Sequence, residues 1–173
     1  MIIYTDGSCL GNGKAVNSGG FGVVVLDNNE NLVYTYNKVS ENTTNNREEL
    51  KAIIYALDYA YKYFPNQDVI IFSDSAYCVN TCREWIYSWA KNNWQNSKKE
   101  TVKNLDLMKI LYFYLTSKFK TCQICKVQGH KGEVFNELAD ALATGNMKKY
   151  QRILNQHSEI NISSTCIIKK DLI

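Results

Sequence analysis

One proline, two histidines and no long apolar run are the first features of this 173-residue chain. No stretch is apolar for the roughly 20 residues that a membrane-spanning helix needs. The N-terminus lacks the basic segment and apolar run of a secretory signal. An intracellular protein, in cytoplasm or nucleus and not membrane-bound, is therefore expected. Without a signal peptide, the six cysteines are expected to be reduced thiols. Cys122 and Cys125 lie in an apolar strand-like run without the turn residues and second pair of a structural zinc site, so neither a zinc nor a redox role is assigned to them. No repeat or linker divides the chain, and its length suits one domain with a substantial core.

The net charge of +3 is unevenly distributed. Arg83, Lys91, Lys98, Lys99 and Lys103 outweigh Glu84 and Glu100 in the middle, and Lys148, Lys149, Arg152, Lys169 and Lys170 outweigh Glu159 and Asp171 in the tail. The remainder is acidic. Basic flanks around an acidic centre suit a polyanion held over a metal site, although solvated surface lysines explain the same charges equally well.

Hydrophobic patterning predicts the order βββαβαβα, a mixed sheet with packed helices. Residues 1–8 read as a strand, followed by a loop from Cys9 to Gly20 rich in Gly and Asn. Phe21 to Leu26 and Leu32 to Tyr36 complete an antiparallel meander around turn residues 27–31. Thr43-Thr44-Asn45-Asn46 offers caps for a helix whose apolar face is Leu50, Ile53, Ile54, Leu57 and Tyr61. Pro65 ends it, and Val69 to Phe72 is apolar throughout, as a strand covered on both faces should be. Helices are predicted over 75–89 and 105–119, with a polar protrusion at 92–103 between them. A strand at 122–127 and a helix from Phe135 to Ala143 follow. After Gly145 the pattern weakens: 146–155 reads as basic helix and 160–164 as loose tail.

Four carboxylates stand where an acid is costly or conspicuous. Asp6 follows the apolar run Ile2 to Thr5, Glu49 begins an amphipathic helix, Asp74 ends an apolar strand, and Asp140 sits in an apolar helix. A desolvated carboxylate persists mainly where a metal or a partner charge compensates it. Each has a plainer explanation, as dipole partner, N-cap or solvated side chain. Together they gain weight, because residues at strand ends of an α/β sheet gather in one crevice.

Thr5-Asp6-Gly7-Ser8-Cys9-Leu10-Gly11-Asn12, Thr43-Thr44-Asn45-Asn46-Arg47-Glu48-Glu49-Leu50, Ser73-Asp74-Ser75, Gly129-His130-Lys131-Gly132 and Asn136-Glu137-Leu138-Ala139-Asp140 follow one another in order. This series resembles the successive motifs of type 1 ribonuclease H, over roughly residues 1 to 145. The resemblance implies the ribonuclease H-like α/β fold, with a five-stranded mixed sheet of three antiparallel and two parallel strands flanked by helices. Residues 1–145 would form the catalytic domain and residues 146–173 a basic C-terminal extension, partly helical or loose. With the first strand beginning at Ile2, the separate N-terminal hybrid-binding domain of some relatives would be missing.

By the same resemblance, Asp6, Glu49, Asp74 and Asp140 match the catalytic and metal-binding carboxylates, and His130 the loop histidine that assists proton transfer or product release. Glu49 is chosen over Glu48 because it directly precedes Leu50, which leaves Glu48 as a helix-dipole residue. Two Mg²⁺ ions roughly 4 Å apart would activate a water and stabilise the leaving 3′ oxygen, and Mn²⁺ should substitute. Cys9, Asn12 and Asn45 match residues at RNA 2′-hydroxyls. Thr44 and Asn104 match part of a pocket for a DNA-strand phosphate. Trp85, Lys98 and Lys99 match the helix and protrusion that pack on the hybrid, and Trp89 and Trp94 are expected to be structural. The implied activity is hydrolysis of the RNA strand of RNA·DNA hybrids by a monomer.

Four departures weaken the expected grip on substrate: the longer loop from Gly13 to Ser18, Asn42 where Arg is usual, Ala76 in place of a larger side chain, and a protrusion with fewer basic residues. Modest affinity with a shallow salt dependence is expected. Two other readings remain: a non-catalytic binder of hybrids or double-stranded RNA, and a DNA strand transferase or resolvase of the same fold. Intact carboxylates argue against the first, and Asn12 with Asn45 against the second.

Overall fold

The computed structural model describes residues 1–14, 17–118, 122–127 and 133–170. Strands β1 (Ile2–Leu10), β2 (Ser18–Leu26) and β3 (Leu32–Glu41) form the antiparallel meander. Helix α1 (Asn45–Tyr63) leads to β4 (Val69–Ser73), which pairs with β1 in parallel. Helices α2 (Ala76–Asn80) and α3 (Ile86–Lys91) are joined by a single π-helical turn, Thr81–Trp85, and α4 (Leu105–Ser117) follows the protrusion. Strand β5 (Cys122–Lys126) pairs in parallel with β4, and α5 (Val134–Ala143) and α6 (Met147–Gln156) follow. The five strands stand in the order β3, β2, β1, β4, β5, the mixed arrangement expected from the sequence.

A sixth strand corrects the reading of the tail. Residues Ile162–Lys170 form β6, parallel to β3 and in irregular register, so this segment extends the sheet where a loose end was expected. The edge of β3 offers unpaired backbone donors and acceptors, and pairing there satisfies them whatever the side-chain pattern.

Strand periodicity divides the core in two. Ile3, Val23, Val25, Tyr34 and Tyr36 pack against Leu50, Ile53 and Leu57 of α1 and Met108 and Leu111 of α4 on one face. Val24, Leu26 and Leu32 pack against Leu138 and Leu142 of α5 and Tyr150 and Ile153 of α6 on the other. Both faces are covered, which is why β2 carries a continuous apolar run.

Two glycines bring helices onto the sheet at one place. A Cβ on Gly7 would lie 2.2 Å from the backbone nitrogen of Glu49, and one on Gly22 would lie 2.2 Å from the carbonyl oxygen of Ala139. Gly22 pairs with Asp6 across β1 and β2. The starts of α1 and the body of α5 therefore approach the backbone beside Asp6 from two sides, closer than any side chain would allow.

Candidate active site

Strand register sets the first two acids side by side. Thr5 of β1 pairs with Ser73 of β4, so Asp6, midway along β1, and Asp74, just past the end of β4, are each one residue further along parallel strands and stand side by side. Asp74 is free to face inward because Ser75, not Asp74, caps α2: its hydroxyl accepts from the Cys78 N–H at 3.3 Å. Close packing over Gly7 adds Glu49 from the first turn of α1. Asp6, Glu49 and Asp74 each offer an oxygen within 4.8 Å of the other two, the one such metal-binding group found among the described residues.

This group is crowded and dry. Asp6 and Glu49 are only 6% and 8% exposed, and Glu49 Oε2 is buried with no hydrogen-bond partner among the described residues. Burial first, then the charges of Asp74 and Asp140, pushes Asp6 up to about 8, while the Gly7 N–H pulls weakly the other way. Glu49 rises to about 9, again by burial first and then by the charges of Asp6 and Asp74. Such a site holds protons near neutral pH or exchanges them for a cation of higher charge. An all-oxygen, partly unpartnered donor set fits a hard divalent ion such as Mg²⁺ or Mn²⁺.

Asp140 of α5 stands at the margin. Its charge reaches Asp6, but its oxygens lie outside the group of three, and Lys149 of α6 forms an ion pair with its Oδ2. Lys126, at the end of β5, donates to the carbonyl oxygen of Asp74 at 3.1 Å. In the sequence Lys149 is one of several tail cations, and Lys126 lies in no motif. The one signal for Lys149 was its spacing after Asp140 across a glycine turn.

The structure adds a role for Glu48. It is fully buried, and its Oε1 accepts from the Thr43 hydroxyl at 2.5 Å and from Lys51 Nζ at 2.6 Å, while Oε2 accepts from the Ser40 hydroxyl at 3.1 Å. From the first turn of α1, where the dipole reading placed it, it also serves as a buried structural tie to β3. The preference for Glu49 as the member of the acidic group agrees with this geometry.

The predicted substrate residues fall into three settings. Cys9 is buried with its thiol donating to the Thr43 carbonyl at 3.6 Å, so its side chain faces the protein, whereas Asn12 and Asn45 are exposed near it in sequence and at the start of α1. Thr44 caps α1 by accepting from the Arg47 N–H at 3.3 Å. Asn104, in the left-handed conformation just before α4, accepts from Arg47 Nη1 at 3.3 Å, and Arg47 also holds Asp106 through both of its terminal nitrogens. Arg47 thus joins the starts of α1 and α4, a link the motifs alone did not show.

Trp85 closes the π-helical turn and is 38% exposed, beside the partly buried Trp89 at 5.9 Å between ring centroids. Trp89 and Trp94 pack against the core, as expected. Lys98 and Lys99 are exposed on the protrusion, which a bridge between Gln95 and Thr101 pins at its base. None of these basic or aromatic groups belongs to the acidic group. His130 lies outside the described residues.

No helix among the described residues is long and apolar enough to cross a membrane. The family model for RNase H matches residues 1–148. A ribonuclease H from Caldicellulosiruptor saccharolyticus is 38% identical over 150 residues, covering 86% of this chain and 97% of its own length. The structure is similar to that of a foamy viral protease-reverse transcriptase in complex with double-stranded DNA, at 25% identity and a TM-score of 0.73, with 87% of this chain and 94% of that one covered. It also shares its fold with LC11-RNase H1 in complex with an RNA/DNA hybrid, at 21% identity and a TM-score of 0.62, covering 82% of this chain and 92% of that one. Sequence and sheet order agree, and the chain belongs to the ribonuclease H family of enzymes.

Proposed function

We propose that this enzyme hydrolyses the RNA strand of RNA·DNA hybrids internally, with two divalent metal ions, and leaves 5′-phosphate and 3′-hydroxyl ends. The observation that carries the reading is the convergence of Asp6, Glu49 and Asp74, with the pKa values of Asp6 and Glu49 pushed up by burial first and then by the neighbouring carboxylate charges. Asp6, at the centre, would contribute to both ions, Asp140 to the ion on the nucleophile side, and Glu49 with Asp74 to the ion on the leaving-group side. Bound metal supplies a water of lowered pKa and neutralises charge on the departing oxygen. The chain's own contribution is to gather the carboxylates, keep them dry and orient the backbone that is cut.

His130 assists proton transfer or product release in this reading. Asn12, Asn45 and the backbone at Cys9 read the RNA 2′-hydroxyls, the group that separates RNA from DNA. Thr44 and Asn104, held together through Arg47 at two helix starts, receive a phosphate of the DNA strand. Trp85 and the exposed Lys98 and Lys99 pack on the hybrid away from the cut. Residues 146–173 act as a basic extension of the catalytic domain. The protein works as a monomer inside the cell, in cytoplasm or nucleus, where such hybrids form.

The test is cleavage of an end-labelled RNA·DNA hybrid in Mg²⁺ and in Mn²⁺, beside double-stranded RNA and DNA duplexes. Cutting confined to the RNA of the hybrid is expected, with a 3′-hydroxyl on the upstream fragment and a 5′-phosphate on the downstream fragment of each break. Cutting of duplex DNA or of a four-way junction would favour a resolvase. Binding of hybrid without cutting in either metal would mean that the carboxylates are idle.

A further inference from the structure

Lys149 occupies the first turn of α6, where the positive end of the helix dipole disfavours a cation. The surrounding turn fixes it there. Gly145 adopts a φ of 66°, the Asn146 N–H donates to the Ala141 carbonyl at 2.8 Å, and the Asn146 side chain accepts from the Lys149 N–H at 2.9 Å. Tyr150 and Ile153 anchor α6 by burial against Leu138 and Leu142 of α5 and Val24 and Leu26 of β2. The helix therefore folds back along α5 and carries the Lys149 ammonium onto Asp140 Oδ2, with the two side chains only 25% and 19% exposed. A residue placed against its local preference yet tied to a site carboxylate points to a compensating role.

Asp140 differs from the other three acids in two linked respects. It alone of the four has a side-chain cation partner among the described residues, and it alone lies outside the group whose oxygens converge within 4.8 Å. An ammonium on Oδ2 and a divalent ion on the same carboxylate repel one another across a few ångströms in a poorly solvated place, which weakens the metal unless the ammonium moves away. The lysine's flexible stem allows it to withdraw.

We propose that Lys149 is a positioning residue, an internal counter-ion that holds Asp140 in the metal-free enzyme and must release it before a divalent ion recruits Asp140, so that Lys149 lowers metal affinity. The inference rests on the metal-site reading above.

Calorimetric titration of the full chain with Mn²⁺, without nucleic acid, tests it on wild type, Lys149→Met and Lys149→Arg. Methionine keeps the apolar stem and removes the charge, and Lys149→Gln serves the same purpose if the methionine variant fails to melt cooperatively. The neutral variant is expected to bind Mn²⁺ at least about fivefold tighter than wild type, with Lys149→Arg within about twofold of wild type. Without metal it should melt below wild type and gain more from saturating Mn²⁺. Equal or weaker Mn²⁺ affinity in a cooperatively folded neutral variant overturns the proposal. So does unchanged metal affinity with weakened hybrid binding, which would assign Lys149 to phosphate. Hybrid cleavage by wild type judges the underlying reading separately. Cleavage with unchanged Mn²⁺ affinity in the variant removes only the role of Lys149, whereas tighter Mn²⁺ binding in the variant would stand even if the wild type cut nothing.

Discussion

Two adjacent glutamates show how differently this fold treats buried charge. Glu48 ties β3 to α1 with its carboxylate satisfied by Thr43, Ser40 and Lys51. Glu49, one residue on, faces Asp6 and Asp74 with Oε2 unpartnered among the described residues. A buried charge with its partners built in is a structural device, and one without them is a place prepared for something that arrives later. The burial of the two side chains is almost the same; their partners separate the roles.

The largest effect should come from breaking the unpartnered side. Asp74→Asn removes one negative ligand at nearly constant size. Hybrid cleavage should fall by about a thousandfold, or ~4 kcal/mol of transition-state stabilisation. Its metal-free melting temperature should hold or rise, since a like charge beside Asp6 has gone. A single-turnover assay beside a thermal melt checks both, and a large loss of metal-free stability would place Asp74 with Glu48 as a structural acid.

Breaking the partnered side should do the reverse. Glu48→Ala leaves the Thr43 and Ser40 hydroxyls without their acceptor and the Lys51 ammonium with only the Ser40 hydroxyl, and should cost about 3 kcal/mol in urea unfolding. Mn²⁺ affinity of the folded protein should stay close to that of wild type, because Glu48 is bonded to Thr43, Ser40 and Lys51 and not to the acidic group. A collapse of metal binding with stability intact would dissolve the distinction between the two glutamates.

Acidity sharpens the comparison. Asp6 and Glu49 have folded-state pKa values of about 8 and about 9, above their ordinary carboxylate values. Between the ordinary values and these, the folded protein holds protons that the unfolded chain has lost, so metal-free stability should fall as pH rises from about 4 towards 9. Saturating Mg²⁺ should abolish or reverse that slope, because the metal binds the deprotonated folded form. Urea midpoints at several pH values, with and without metal, provide the check. A metal-free enzyme that gains stability across this range would mean that the acids already have partners.

The smallest effect lies further out. Thr44→Ala removes the cap of α1 and should cost about 1 kcal/mol of stability. Measured by urea unfolding, a cost near zero would mean that the Arg47 bridge to Asp106 alone holds this helix start.

These contrasts were only partly legible in the sequence. The strand pattern and the gathering of Asp6, Glu49 and Asp74 could be read because period-two alternation and a carboxylate in an apolar setting are local signals. Whether Glu48 was buried could not be read, since its partners Ser40 and Thr43 belong to the preceding strand and loop and meet it only after folding. The pairing of β6 was hidden for a similar reason. Its segment has no distinctive alternation, and the open edge of β3, far away in the chain, decides its conformation. Lys149 looked like one more basic tail residue because the docking of α6 on α5 and β2, which lays its side chain on Asp140, is a tertiary event. The π-helical turn at Thr81–Trp85 left no mark in a helical pattern that runs through it.

The most direct measurement is a crystal soaked in Mn²⁺ and recorded at a wavelength where manganese scatters anomalously. The account predicts a peak bounded by Asp6, Glu49 and Asp74 and none at Glu48. An empty acidic group in a crystal that binds Mn²⁺ elsewhere would contradict it.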